Sequence, residues 1–276
     1  MSSSLESVPL SAPEAKLRAE DLHKSFGPKI VLDGLSFSVA DGESLVIVGP
    51  SGTGKSVLLK HLIGLIRPDS GKVFVDGIDV WALSDRERTK LRQRFGMSFQ
   101  EGALFDSMNV FDNVAFPLRR SGRPPREVRE RVRECLDIVH LPEVGEKRPS
   151  ELSGGMRRRV GFARAIAHQP DILLLDEPNT GLDPIMTDVI DEVILNIRDR
   201  TNATIVTITH HMQSARKIGD RIALLYSGRI LAEATPEEFL RSEDPAVRQF
   251  VEGSAEGPLT GEGDRQPVRR GRAEGA

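Results

Sequence analysis

The alternation of apolar and polar positions changes period several times along the chain, and each change marks an element. Leu35, Phe37 and Val39 alternate with Ser36 and Ser38, the spacing of a strand with one buried face, and Asp41-Gly42 supplies a turn before the apolar run Ser44 to Val48. From Gly49 the texture becomes strand-helix: helical over Lys55 to Ile66, extended over Lys72 to Val75, helical over Ser84 to Arg94 with Ser84 and Glu87 spaced as a capping box. Between about residues 102 and 168 the strand signal stops, and helical spacing at Pro125 to Val139 and Ser153 to Ala167 replaces it. Alternation resumes with Asp171 to Leu175, a helix from Pro184 capped by Asp183, a strand over Thr204 to Ile208 and a helix after His210. Arg221 to Tyr226 and Arg229 to Ala234 flank Ser227-Gly228 as a hairpin, and Thr235 to Glu238 opens a helix with a second capping box. The pattern predicts an α/β fold: an antiparallel β subdomain, then a core of alternating strands and helices into which a helical subdomain is inserted.

Composition narrows the classes. The 276 residues suffice for one large α/β domain over 17–252, with a Ser-rich tail at 1–16 and a Gly, Glu and Arg-rich tail at 253–276, both expected to be disordered. A net charge of -3 gives no global basic field for nucleic acid, and the arginines at 119–133 are interspersed with acids, as on a solvated helix. No apolar run approaches the ~20 residues of a spanning helix, and residues 1–13 lack the basic and apolar regions of a secretion signal, so a cytoplasmic location is expected. The single cysteine, Cys135, excludes an internal disulfide and reads as a half-buried helix residue.

The chemistry begins at Gly49-Pro50-Ser51-Gly52-Thr53-Gly54-Lys55-Ser56, directly after an apolar strand and directly before a helix that continues with Val57. This is a phosphate-binding loop: glycines let backbone N–H groups turn inward, the helix start adds partial positive charge, Lys55 neutralises the β- and γ-phosphates of ATP, and Ser56 offers a hydroxyl to Mg²⁺. A tight turn alone would not call for lysine and serine at the helix start. Ile172 to Leu175 followed by Asp176 and Glu177 delivers two acids to a strand end, Asp176 toward Mg²⁺ and Glu177 toward the attacking water. Leu152-Ser153-Gly154-Gly155-Met156 opens a helix in the inserted lobe, a second anion site poorly placed to fold back on its own nucleotide. A second copy's nucleotide is its natural partner.

In this order, the phosphate loop, Gln100, the Leu-Ser-Gly-Gly signature, the Asp-Glu strand, Gly181-Leu182-Asp183 and Thr209-His210 resemble the ATP-binding-cassette ATPases over about residues 19–253. The resemblance implies a phosphate-loop NTPase with a RecA-like core, working as a homodimer. It implies Phe26 stacking on adenine, Gln100 as Mg²⁺ and water ligand, Glu177 as catalytic base, Asp183 as the residue communicating across the dimer, and His210 as the γ-phosphate switch. Met156 stands where the family usually has glutamine, and His211 where an acid commonly follows the switch histidine.

A narrower likeness covers Phe99 to Ala115, the signature Met156 and the closing segment Asp244 to Gly253, which are similar to the MlaF-like ATPases of Mla and Mce-associated phospholipid transporters. That likeness implies an MlaE-like permease, an MCE-domain (MlaD-like) protein, a STAS-domain (MlaB-like) subunit, phospholipid as cargo moved between inner and outer membranes, and a place on the cytoplasmic face of the inner membrane. Leu104, Phe105, Val110 and Phe111 would line a groove for the permease. DNA-repair and chromosome ATPases carry long coiled coils between glutamine loop and signature; residues 101–151 hold no sustained heptads. Ribosome-bound relatives need two cassettes, and one is present. A regulator that no longer hydrolyses ATP would not be expected to keep both Glu177 and His210.

Overall fold

The computed structural model describes residues 15–99 and 102–260. Strands β1 (Ala15–Phe26), β2 (Lys29–Ala40), β4 (Ser70–Val75) and β5 (Ile78–Asp79) form an antiparallel sheet in the order β2-β1-β4-β5. A second sheet has the order β10-β9-β3-β8-β7-β6, from β3 (Ser44–Val48), β6 (Phe95–Ser98), β7 (Ile172–Asp176), β8 (Thr204–Thr209), β9 (Arg221–Tyr226) and β10 (Arg229–Ala234). All its neighbours pair in parallel except the hairpin β9-β10. Helices α1 (Lys55–Leu62), α2 (Asp85–Arg92), α3 (Val110–Arg120), α4 (Pro125–Ile138), α5 (Gly154–Ile166), α6 (Pro184–Thr201), α7 (Met212–Ile218), α8 (Pro236–Leu240) and α9 (Pro245–Glu252) complete the fold.

Period-two alternation divides the central strands between two cores. Leu45 and Ile47 of β3, Ile172 and Leu174 of β7, and Val206 and Ile208 of β8 pack with α1 and the antiparallel sheet. Val46, Val48, Leu173, Leu175 and Ile205 point the other way, into a core shared with α3, α4, α5 and α6. A parallel sheet covered on both faces reads as continuous apolar runs, and these strands do. The inserted lobe is α3 to α5, pinned by buried Arg131 of α4, which donates to the carbonyls of Ile166 (2.7 Å) and Ala167 (3.0 Å) at the end of α5. A cation there complements the helix dipole.

Both expected capping boxes form, at Ser84/Glu87 and Thr235/Glu238, and Asp183 caps α6 through Oδ1 on the amide of Met186 at 2.9 Å. The helix expected over Lys55 to Ile66 ends instead at Leu62. Three further expectations are corrected. Strand β1 begins at Ala15, inside the segment read as tail, because Ala15 and Leu17 are buried against β2. Residues 253–260, also read as tail, fold onto α9: Gln249 accepts from the amide of Leu259 at 2.7 Å and donates to the Ser254 carbonyl at 3.2 Å, burying Leu259. Residues 1–14 and 261–276 of the two expected tails lie outside the described residues.

Cys135 is fully buried rather than half-buried, and burial pushes its thiol up to about 12. The thiolate is the reactive form. The native protein should therefore resist alkylation by iodoacetamide at pH 8 and react only when denatured, as mass spectrometry would read; rapid labelling of the native chain would contradict this packing.

Candidate functional site

Strands β3, β8 and β7 are neighbours, and their carboxyl ends deliver the chemistry to one edge. Opposite Val48 lies Thr209, and opposite Asp176 lies Ile208. The residues that follow these strands, Gly49, His210 and Glu177, therefore share the edge where open α/β sheets collect ligands.

The loop after β3 is shaped by close approach. A Cβ on Gly49 would stand 2.2 Å from the carbonyl oxygen of Leu225 on β9, and one on Gly54 would meet the Val31 carbonyl of β2 at 2.9 Å, so neither position admits a side chain as the backbone lies. Leu58 is the first residue of α1 whose amide reaches a carbonyl, that of Gly54 at 2.9 Å; the amides of Gly52 to Val57 find no acceptor among the described residues. Unpaired N–H groups at a helix start form an anion cradle. Lys55 is only 7% exposed, and its Nζ donates to the carbonyls of Gly49 (2.7 Å) and Pro50 (2.9 Å). Glu177 Oε1 lies 3.6 Å away, and burial lowers the lysine pKa from its ordinary value, opposed by the charge of Glu177. Thr53 bonds the Pro50 carbonyl, while Ser51 and Gly52 are exposed.

Ser56 Oγ donates to Asp176 Oδ1 at 3.1 Å. Burial raises the Asp176 carboxyl, the Ser56 hydrogen bond opposes this, and the Glu177 charge adds to it. A hydroxyl and a carboxylate side by side are an oxygen donor pair of the kind Mg²⁺ takes while keeping water and phosphate ligands. These residues fit the metal.

Glu177 leaves β7 with φ 50, and its amide donates to the Ile208 carbonyl at 2.9 Å. Its Oε2 meets His210 Nδ1 at 2.8 Å and accepts from the Thr180 hydroxyl at 3.0 Å. The positive φ of a non-glycine residue is held here by three hydrogen bonds, the usual company of backbone strain at a working site. His211 packs against His210 with centroids 4.4 Å apart and ring planes tilted by 38°, and its pKa is lowered by burial and by His210.

The structure brings Lys55, Ser56, Asp176, Glu177 and His210 together. Phe26 is 48% exposed at the tip of the β1-β2 hairpin, the strand pair whose Val31 abuts the loop at Gly54. Gln100 lies outside the described residues, but the segment after it is clamped to the signature helix: Arg164 donates to the carbonyls of Gly102 (3.0 Å) and Ala103 (2.9 Å). In the signature, Leu152 and Gly155 are buried, Met156 is half-buried, Ser153 caps α5 on the amide of Met156 at 3.3 Å, and Ser153 and Gly154 are exposed. Of the expected groove residues, Val110 belongs to the core, whereas Phe105 is exposed against Phe116 with centroids 5.0 Å apart. The sequence reading missed Thr180 and the buried Asn179, whose Nδ2 donates to Asp191 (2.8 Å) and Ser214 (2.7 Å). It also missed a cleft of ≈ 640 Å³ between Pro50, His210 and the closing segment at Phe250 and Leu259.

Residues 32–180 match the ABC transporter family, and the chain belongs to it. It is an ATP-binding, ATP-hydrolysing subunit of a transporter. It is 42% identical over 244 residues to the probable ribonucleotide transport ATP-binding protein mkl of Mycobacterium tuberculosis (88% of this chain, 68% of that protein). To the methionine import ATP-binding protein MetN of Carboxydothermus hydrogenoformans it is 45% identical over 221 residues (80% and 66%). To the intermembrane phospholipid transport system ATP-binding protein MlaF of Haemophilus influenzae it is 41% identical over 234 residues (84% and 89%). Among solved structures, the ATP-binding cassette MJ0796, dimeric and bound to ADP and Pi, superposes with a TM-score of 0.72 at 33% identity (80% of this chain, 98% of that one). No helix among the described residues is long and apolar enough to cross a membrane.

The raised carboxyl of Asp176 carries a stability consequence. A folded-state pKa above the unfolded value stabilises below the unfolded pKa, and that contribution is lost as pH rises through the folded one, so ionisation of the group works against folding. Asp176→Asn should raise the thermal midpoint of the nucleotide-free protein by ~2 °C at pH 7.5, with the gain shrinking in acid. A lower midpoint at both pH values would contradict this electrostatic reading.

Proposed function

We propose that two copies of this chain clasp ATP between them and that hydrolysis drives phospholipid transport through a membrane permease. The observation that carries the ATPase reading is the convergence of Lys55, Ser56, Asp176, Glu177 and His210 on one sheet edge. Lys55 and the unpaired amides of the loop bind the β- and γ-phosphates, with Gly49, Pro50, Ser51, Gly52, Thr53, Gly54 and Val57 forming the cradle, while Phe26 stacks on adenine. Ser56, Asp176 and Gln100 would hold Mg²⁺, which would supply neutralisation of the phosphate charge.

Glu177 orients water for attack on the γ-phosphorus and takes its proton as the bond to the bridging oxygen breaks and ADP leaves. A base so placed contributes ~10²–10⁴ in rate. His210 steadies the carboxylate through Nδ1 and keeps Nε2 for a γ-phosphate oxygen. Ser153 and Gly154 are exposed, and a Cβ on Gly154 would meet only Arg157 Nη2, at 4.0 Å. An open helix start of this kind suits a partner's phosphate, and exposed Asp183 suits communication across the pair.

The cargo reading is supported by the MlaF relative, which this chain spans over 89% of its length, together with the stretch from Phe99 to Ala115, Met156 and the closing segment. It brings with it an MlaE-like permease seated on exposed Phe99 and Phe105, an MCE-domain protein, a STAS-domain subunit and a place at the cytoplasmic face of the inner membrane. A second reading, an importer of a small solute, is favoured by the relatives named for methionine import and ribonucleotide transport.

Two measurements test the proposal. Glu177→Gln should lower ATP turnover by at least ~100-fold while still binding ATP; unchanged turnover would remove Glu177 as the base. The transporter purified with its membrane partners should carry phospholipid and transfer it between vesicles in an ATP-dependent way. ATP-driven uptake of methionine or ribonucleotide without lipid transfer would overturn the cargo.

A further inference from the structure

We infer that Thr180 and Arg158 form a positioning joint that keeps this chain's own hydrolytic carboxylate in register with the helix start it presents to its partner. The inference rests on the shared-site reading above and adds the means by which two half-sites on one chain stay in step.

The turn from Glu177 to Asp183 links β7 to α6 and is fastened on its inner side by Asn179. That side chain is fully buried and donates to Asp191 Oδ1 on α6 at 2.8 Å and to Ser214 Oγ on α7 at 2.7 Å. Hydrogen bonds in a dry interior are costly to break, so the inner side does not slide. On the outer side Thr180 faces two ways. Its hydroxyl donates to Glu177 Oε2 at 3.0 Å, and its backbone carbonyl accepts from the Arg158 guanidinium on α5.

Arg158 lies on the same helix as Ser153, the N-cap of α5, so a movement of the helix start carries Arg158 with it. The two helix starts also touch directly. A Cβ on Gly155 would stand 2.5 Å from Met186 Cε, the flexible end of a side chain on the helix that Asp183 caps, so α5 meets α6 at this point. Displacing the inserted lobe therefore loads Thr180, and Thr180 orients Oε2, the oxygen that also meets His210. Met186 and Arg158 register the lobe; Thr180 transmits that registration to the carboxylate.

Thr180→Val removes the hydroxyl and keeps the carbonyl and the shape; Arg158→Met removes the guanidinium and keeps an apolar stem. In the assembled transporter each should lower kcat about tenfold and leave KM for ATP within about twofold. Thr180→Ser should restore turnover, and the double variant should fall no further than the weaker single one, since both break one link. Fully multiplicative losses, a loss confined to KM, or no rescue by serine would overturn the joint. Should Arg158→Met lower the thermal midpoint, the valine and serine pair at Thr180 decides alone. Glu177→Gln measured in parallel separates the two ideas: normal turnover there removes Glu177 as the base and with it the reading on which the joint rests, whereas an inactive Glu177→Gln with multiplicative losses removes only the joint.

Discussion

A cation buried with too little negative charge around it organises this site. Lys55 is nearly sealed from water, and what it has for company is two carbonyls and a carboxylate 3.6 Å away. Burial of the ammonium group outweighs the opposing charge of Glu177 and the smaller one of Asp176, which is why its pKa is lowered. On the proposed reading, phosphate charge would make the arrangement favourable. A second charge stands at the end of β7, where burial raises the Asp176 carboxyl beside the Ser56 hydroxyl. The fold thus holds two opposite charges in unfavourable surroundings, and on the proposed reading phosphate and Mg²⁺ would bring the complementary charges.

The fold supplies the rigidity this needs. Asp176, Glu177 and His210 stand at or just after the ends of strands buried on both faces, and the loop leading to Lys55 is wedged between β9 and β2 by contacts that leave no space for a Cβ at Gly49 or Gly54. The inserted lobe is separately anchored by Arg131, and it meets the α/β core at the turn after Glu177 through Arg158 and Met186. One short turn therefore lies between the chain's own site and the surface offered to its neighbour.

Most of this was legible in the sequence where a local rule decides the outcome: capping boxes at Ser84 and Thr235, the hairpin at Ser227-Gly228, the loop between an apolar strand and a helix. Where a second rule intervened, the reading stopped short. Strand β1 hides its period because a bulge moves the buried positions from Leu17 and Ala19 to Leu22, with Asp21 at φ 47 and Gly71 packed against the Asp21 carbonyl. Helix α3 carries Pro117 in its interior and was not marked out as a helix. Leu259 is held by a hydrogen bond from its amide to Gln249, ten residues earlier, a contact that no periodicity announces. Thr180 and Asn179 read as ordinary turn residues, because their partners Arg158 and Ser214 lie on other elements.

The central claim is that nucleotide is held by the loop of one copy and covered by the helix start of the other. Mixing subunits tests it directly. A pair in which one copy carries Lys55→Ala and the other Ser153→Arg keeps, on this account, one complete site built from the intact loop of the second and the intact helix start of the first. The mixed pair should hydrolyse ATP well above either variant alone, while a copy carrying both changes, mixed with wild type, should leave no complete site in the mixed pair. A mixed Lys55→Ala and Ser153→Arg pair as inactive as the separate variants would show each site to be built within one chain and would contradict the account.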